Sequence, residues 1–129
     1  MKFTTLIIQG KEFVYEDEIK DITYETSVPI TKDDADQLLK KTKELFSSIG
    51  LPFYLAYGTL LGAVREHALI QGDEDVDVFV LNENILFNNL PFLYQHGFKV
   101  CRIARGKLYS FRVNEKSYID VYILSCLLY

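Results

Sequence analysis

The sequence is short of the residues that build disulfide frameworks, zinc sites and basic surfaces. Its two cysteines, Cys101 and Cys126, lie far apart without CxxC spacing, each in an apolar stretch. That pattern favours two buried thiols in a reducing compartment over a disulfide or a ligand role. The two histidines, His67 and His96, share no ligand spacing, so a zinc site is not expected. Positive charge is not in excess: the formal net charge of −4 is the opposite of what a general nucleic-acid binder shows. A nucleotide ligand remains compatible with it, because a divalent cation can neutralise local carboxylates. No apolar run is long enough to span a bilayer, and Lys2 with the short run before Gln9 and Gly10 is too weak for a signal peptide. A cytoplasmic location is the expectation. Internal repeats and low-complexity segments are absent.

What is present is an ordinary globular balance. The chain has 129 residues, 49% hydrophobic and 25% charged, which suits one core and a single domain over 1–129. Aromatics, all Phe and Tyr, reach 14%, enough to fill that core. Residues 1–30 read as a β-rich extension, with strands over Phe3 to Ile8, Glu12 to Tyr15 and Ile22 to Val28, and a tight hairpin at Gly10-Lys11. A helix is expected from Thr31 to Ile49. Thr31 can cap it, Ala35, Leu38, Leu39, Thr42, Leu45, Phe46 and Ile49 share one face, and Gly50 and Pro52 end it. Lys40, Lys41, Lys43 and Glu44 lie opposite, as a solvated surface. Phe53 to Tyr57 reads as a strand running into a turn and short helix at Gly58 to Arg65. Asp75 to Leu81 is an alternating strand, and Asn82 to His96 a helical stretch interrupted by Pro91. Strands over Phe98 to Ile103, Leu108 to Val113 and Tyr118 to Leu124 follow. Helices and strands mix without a regular βαβ repeat, so the expected class is α+β, a mixed β-sheet with flanking helices.

The chemistry concentrates in Asp73-Glu74-Asp75-Val76-Asp77. Asp75 and Asp77 lie two apart on a strand and so point to the same face. Two carboxylates held that close repel unless a cation lies between them, and hard oxygen donors of this kind suit Mg²⁺ or Mn²⁺. Alone, Asp-x-Asp equally suits an exposed acidic strand edge or turn. Asp120 shifts the balance, because it sits inside the apolar strand Tyr118-Ile119-Asp120-Val121-Tyr122, where an unpartnered acid is costly. A shared metal would make Asp120 the third carboxylate. Gly58 and Gly62 bracket a strand-to-helix turn whose backbone amides can face a phosphate, Thr59 adds a hydroxyl, and Arg65 adds a positive charge. These are the parts of metal-assisted phosphoryl transfer. Asp73 and Glu74 fall in the approach to the strand, in a supporting or solvated role.

Tyr57-Gly58-Thr59-Leu60-Leu61-Gly62-Ala63-Val64-Arg65 followed by Asp73-Glu74-Asp75-Val76-Asp77 closely resembles the signature of the LicD family, which includes phosphocholine transferases and fukutin-type proteins. The preceding helix, Leu51-Pro52-Phe53-Tyr54 and Tyr118-Ile119-Asp120-Val121 extend the resemblance over residues 31–124. It implies a nucleotidyltransferase-like fold and transfer of a phospho-group, such as phosphocholine or a polyol phosphate, from a CDP-activated donor to a glycan hydroxyl in cell-surface polysaccharide biosynthesis. It implies metal ligation by Asp75 and Asp77, with Asp120 as ligand or base, and donor phosphates near Gly58, Thr59 and Arg65. Glu74 stands where members of that family carry an aspartate, and Gln71-Gly72 where they carry Pro-Trp. The chain also stops at Tyr129, earlier than such domains, so metal and nucleotide binding are expected to carry over more directly than acceptor binding.

Two other functions fit the same residues: a minimal nucleotidyltransferase acting on a small molecule or protein, and a non-catalytic nucleotide-binding remnant. The apolar tail ending Cys126-Leu127-Leu128-Tyr129 must be buried in the core or against another subunit, which makes a homodimer an expectation.

Overall fold

A computed structural model describes residues 2–17, 32–56, 76–113 and 118–124. The expected strand at Ile22 to Val28, the cap at Thr31, the turn and helix at Gly58 to Arg65, and the apolar tail fall outside the described residues.

The chain opens with an antiparallel hairpin of β1 (Lys2–Ile8) and β2 (Lys11–Asp17), with Ile8 opposite Lys11. Gln9 and Gly10 form its turn, with φ of 51° and 79°. A two-residue turn that follows the strand twist needs left-handed backbone at both central positions, and glycine supplies it without strain. The turn therefore sits one residue earlier than the expected Gly10-Lys11, and Lys11 is the first paired residue of β2.

Helix α1 (Lys32–Ser48) buries Ala35, Leu38, Leu45 and Phe46 along one stripe. Thr42 is fully buried there because its hydroxyl donates to the Leu38 carbonyl at 2.7 Å, which removes the cost of an unpaired polar group. Lys40, Lys43 and Glu44 are exposed as expected, while Lys41 is half-buried. At the end of α1, Gly50 takes φ 70°, its amide bonds the Ser47 carbonyl, and Leu51 N–H bonds Phe46 O at 2.8 Å. This pair of bonds satisfies the last carbonyls and turns Leu51 into the core.

The expected helix at Asn82 to His96 is two short ones, α2 (Glu83–Asn88) and α3 (Leu90–Gln95). Asn82 caps α2 by accepting from Ile85 N–H at 3.2 Å. Pro91 then lies in the first turn of α3, where its missing amide costs nothing, so it begins a new helix rather than kinking an old one.

The remaining strands are β3 (Tyr54–Leu55), β4 (Val76–Val80), β5 (Lys99–Ala104), β6 (Leu108–Arg112) and β7 (Tyr118–Ile123). They form one five-stranded sheet in the order β3-β4-β7-β6-β5, in which β4–β7 is the parallel pair and the other neighbours are antiparallel. The described chain is thus α+β with a mixed sheet. Val76, Val78 and Val80 alternate with Asp77 and Phe79, and the valines are buried with Tyr109, Phe111, Ile119 and Val121 on one face. Helix α1 packs against β4, α3 against β5, and β2 against β5. Phe46 meets Phe53 and Phe98 edge-on, and Phe13 of the hairpin meets Tyr94 in the same way. Hairpin and sheet share this core.

A polar clamp closes the β5–β6 end. The Glu83 carboxylate accepts from Arg105 Nε at 2.9 Å, Gly106 N–H at 2.9 Å and Tyr109 OH at 2.8 Å, while the Arg105 guanidinium lies 3.9 Å from the centre of the Phe87 ring. Burial alone would push the Glu83 carboxyl up, but the bonds from Gly106, Tyr109 and Arg105 outweigh it and hold the group below its ordinary value. Burial, reinforced by Glu83, raises the Tyr109 hydroxyl well above the usual tyrosine range, so it stays a donor. Because the folded carboxyl titrates below the unfolded one, its contribution is complete above the ordinary value of about 4.3 and drains as pH falls through the folded value. Glu83→Gln should lower stability by about 1–3 kcal/mol at neutral pH. Urea midpoints of the two proteins should converge in acid, and a constant gap would contradict an ionised clamp.

Candidate functional site

The sheet register assembles a polar row on the face opposite the valines. Directly opposed residues on neighbouring strands point to the same face. Asp77 of β4 is opposed by Asp120 of β7, Asp120 by Ser110 of β6, and Ser110 by Arg102 of β5. Asp77, Asp120, Ser110 and Arg102 therefore form one line across four strands. The adjacent row is Phe79, Tyr122, Leu108 and Ala104 by the same pairings, and Tyr54 opposes Phe79 with its ring stacked at 5.4 Å.

Arg102 reaches this face because of a fault in the ladder. Val100 opposes Phe111 on the core face, and strict alternation would then place Cys101 opposite Ser110 and turn Arg102 inward. The register shifts between Val100 and Arg102, Cys101 becomes the extra residue, and Arg102 is re-aimed at the polar row. Cys101 is a buried thiol whose Sγ donates to the Ser110 carbonyl at 3.5 Å.

The carboxylates differ in setting. Asp77 is half-buried, and its carbonyl accepts from Ala56 N–H at 3.0 Å, so the chain leaves β3 beside it. Asp120 is 9% exposed. Its Oδ1 accepts from Ser110 Oγ at 2.6 Å and lies 3.5 Å from Arg102 Nη2, while Arg102 Nε donates to Ser110 Oγ at 3.0 Å. Ser110 is fully buried, so its hydroxyl is fixed between the guanidinium and the carboxylate. Both bonds draw Oδ1 toward β6 and β5, away from the strand that carries Asp77.

Of the expected site residues, Asp77 and Asp120 are brought side by side. Asp75, Gly58, Thr59 and Arg65 lie outside the described residues, as do Asp73 and Glu74. Among the described residues no three His, Cys, Asp or Glu side chains gather into a metal-binding group. The donor set still fits Mg²⁺ or Mn²⁺ in kind, since such ions take one or two carboxylates and complete their shell with water and phosphate oxygens. His96 is not part of the row; its Nδ1 lies 2.8 Å from the Phe92 carbonyl of its own helix.

Ser110 and Arg102 were not singled out by sequence. The signal that marked Asp120, a polar residue within an apolar strand, also marks Ser110 between Tyr109 and Phe111. Arg102 gave no such signal, because only the bulge puts it on this face. Removing the hydroxyl should expose the role of Ser110: Ser110→Ala deprives a buried carboxylate of its shortest bond and should cost about 1–3 kcal/mol. An unchanged urea midpoint would show that Asp120 finds an equivalent partner elsewhere.

A family model described as LicD/FKTN/FKRP, nucleotidyltransferase domain, matches residues 50–126, more than half of the chain. The matched segment contains β3, β4 and β7, and with them Asp77 and Asp120. Among curated proteins, an uncharacterized protein of Rickettsia typhi is 39% identical over 75 residues, 57% of this chain and 23% of its own length. An uncharacterized protein of Rickettsia prowazekii is 30% identical over 90 residues, 68% of this chain and 32% of its own length. The chain thus spans about a quarter to a third of these relatives. Among the described residues no helix is long and apolar enough to cross a membrane.

Proposed function

The chain belongs to the LicD/FKTN/FKRP nucleotidyltransferase-domain family, and on that premise we propose that it is a metal-dependent phosphotransferase of LicD type. Family membership supports phosphotransferase chemistry in general. The finer reading is transfer of a phospho-group, phosphocholine or a polyol phosphate, from a CDP-linked donor to a glycan hydroxyl. The observation that carries it is the opposed pair Asp77 and Asp120 on adjacent parallel strands, within the matched segment.

Asp77 and Asp120 would hold Mg²⁺ or Mn²⁺, joined by Asp75. Such an ion, when bound, offsets charge on the phosphate oxygens. The protein's own contribution is orientation. Ser110 fixes Oδ1 of Asp120 at 2.6 Å, and we assign the carboxylate's other oxygen to the Asp77 side. There it can ligate the ion or accept the proton of an acceptor hydroxyl. Gly58 and Thr59 follow Ala56, whose amide is bonded beside Asp77, and we assign them with Arg65 to the donor phosphates.

Thermal unfolding with and without Mg²⁺ tests the site. At a hundredfold excess over its dissociation constant the ion should stabilise the wild type by roughly 3 kcal/mol. Asp77→Ala should keep the fold and lose that response, and it should lose turnover of labelled CDP-choline. An undiminished response in Asp77→Ala would remove the metal assignment. Turnover of plain nucleoside triphosphates in place of CDP-choline would favour a minimal nucleotidyltransferase, and ion and nucleotide binding without turnover a non-catalytic remnant.

A further inference from the structure

We propose that Arg102 is an anion-binding residue of this site, taking an oxygen of a phosphate ester or diphosphate at the β5 flank of the carboxylate pair. The inference rests on the reading of Asp77 and Asp120 as a cation site.

Four observations lead to it. The bulge at Cys101 interrupts an otherwise regular β5–β6 ladder, and its effect is to put Arg102 on the polar face in line with both aspartates. Bulges of this kind re-aim a side chain at the expense of ladder pairing. Second, the guanidinium is placed at the rim of the row, with the side chain 26% exposed against 12% for Asp120. It is held in position yet within reach of a ligand on the face.

Third, the bonding is uneven. Arg102 gives its short bond, 3.0 Å from Nε, to the neutral oxygen of Ser110, and approaches Asp120 at 3.5 Å through Nη2. A committed arginine–carboxylate pair is usually bidentate and near 2.7–2.9 Å. Asp120 receives its short bond from Ser110 at 2.6 Å. The guanidinium is therefore tethered at one corner while its outer edge is loosely engaged. That edge can turn from Asp120 to a ligand oxygen while the tether to Ser110 stays intact. Arginine's planar fork suits phosphate for the same reason that it suits carboxylate.

Fourth, a cation changes the charge that an anion meets at the row. Asp77 and Asp120 outnumber Arg102 by one negative charge, and a divalent ion on the aspartates adds two positive charges beside it. Cation binding would then lower the repulsion met by an anion, which orders the two events.

Calorimetry separates this role from a structural one. Titrate Mg²⁺ alone, then inorganic pyrophosphate at saturating Mg²⁺, into wild type, Arg102→Gln and Arg102→Lys, with thermal melts of each. Arg102→Gln should weaken pyrophosphate at least about tenfold, the loss expected for one charged hydrogen bond, while Mg²⁺ binding is unchanged or tighter because a neighbouring positive charge has gone. Arg102→Lys, with the charge but not the fork, should fall between. Equal pyrophosphate affinity in wild type and Arg102→Gln, with wild-type binding intact, overturns the role of Arg102 alone; weaker Mg²⁺ binding with pyrophosphate unaffected does the same and marks a structural partner of Asp120. If wild type binds neither Mg²⁺ nor pyrophosphate, the reading of the site fails and this role with it. Should Arg102→Gln not fold, Arg102→Lys decides: weaker pyrophosphate binding than wild type supports the role, and equal binding overturns it.

Discussion

The parallel pairing of β4 with β7 is the constraint on which the rest depends. It sets Val76, Val78 and Val80 beside Ile119 and Val121 in the core, and with the same register sets Asp77 against Asp120 on the opposite face. The pleat makes the two results inseparable, because a slip of one residue would send the acids into the core and the valines out. Bare charges on opposed strand positions, roughly 5 Å apart at an effective dielectric constant of about 20, repel by about 3 kcal/mol. Ser110 and Arg102 offset part of this at Asp120, and a cation shared by the two carboxylates would offset it further.

Stability and site chemistry are drawn from different parts of the molecule. The aromatic contacts of Phe46, Phe98 and Phe111, the bonds that end α1 at Gly50, and the Glu83 clamp secure the helices and the β5–β6 end. On the polar face the bonds do something else: Ser110 and Arg102 hold Oδ1 of Asp120 toward β6 and β5. A fully buried serine in the middle of β6 adds little packing, and its value lies in that orientation. The bulge at Cys101 likewise gives up ladder pairing to place a charge.

Local signals in the sequence were enough for the elements whose causes are local. The helical stripe from Ala35 to Ile49 with Gly50 behind it, and the alternation of Val76 to Val80, were both legible. So was the oddity of Asp120 among apolar neighbours. Errors arose where competing local rules had to be ranked: the hairpin turn falls on Gln9-Gly10 because both central residues must be left-handed, and Pro91 starts a helix rather than breaking one. What could not be read was register between distant strands. The opposition of Asp77 and Asp120 was reached only by supposing their strands adjacent, and the row from Asp120 through Ser110 to Arg102 depends on a bulge that alternation hides. The resemblance to LicD proteins supplied what residue chemistry alone could not, and the family match agrees with it.

The proposed chemistry therefore stands on two opposed carboxylates, Asp77 and Asp120, sharing one cation. Anomalous diffraction from crystals soaked in Mn²⁺ tests that most directly. A peak is expected within coordination distance of both Asp77 and Asp120, on the side of Asp120 away from Ser110. A fully soaked crystal with no peak there, or with ordered Mn²⁺ bound only at other carboxylates, would contradict it.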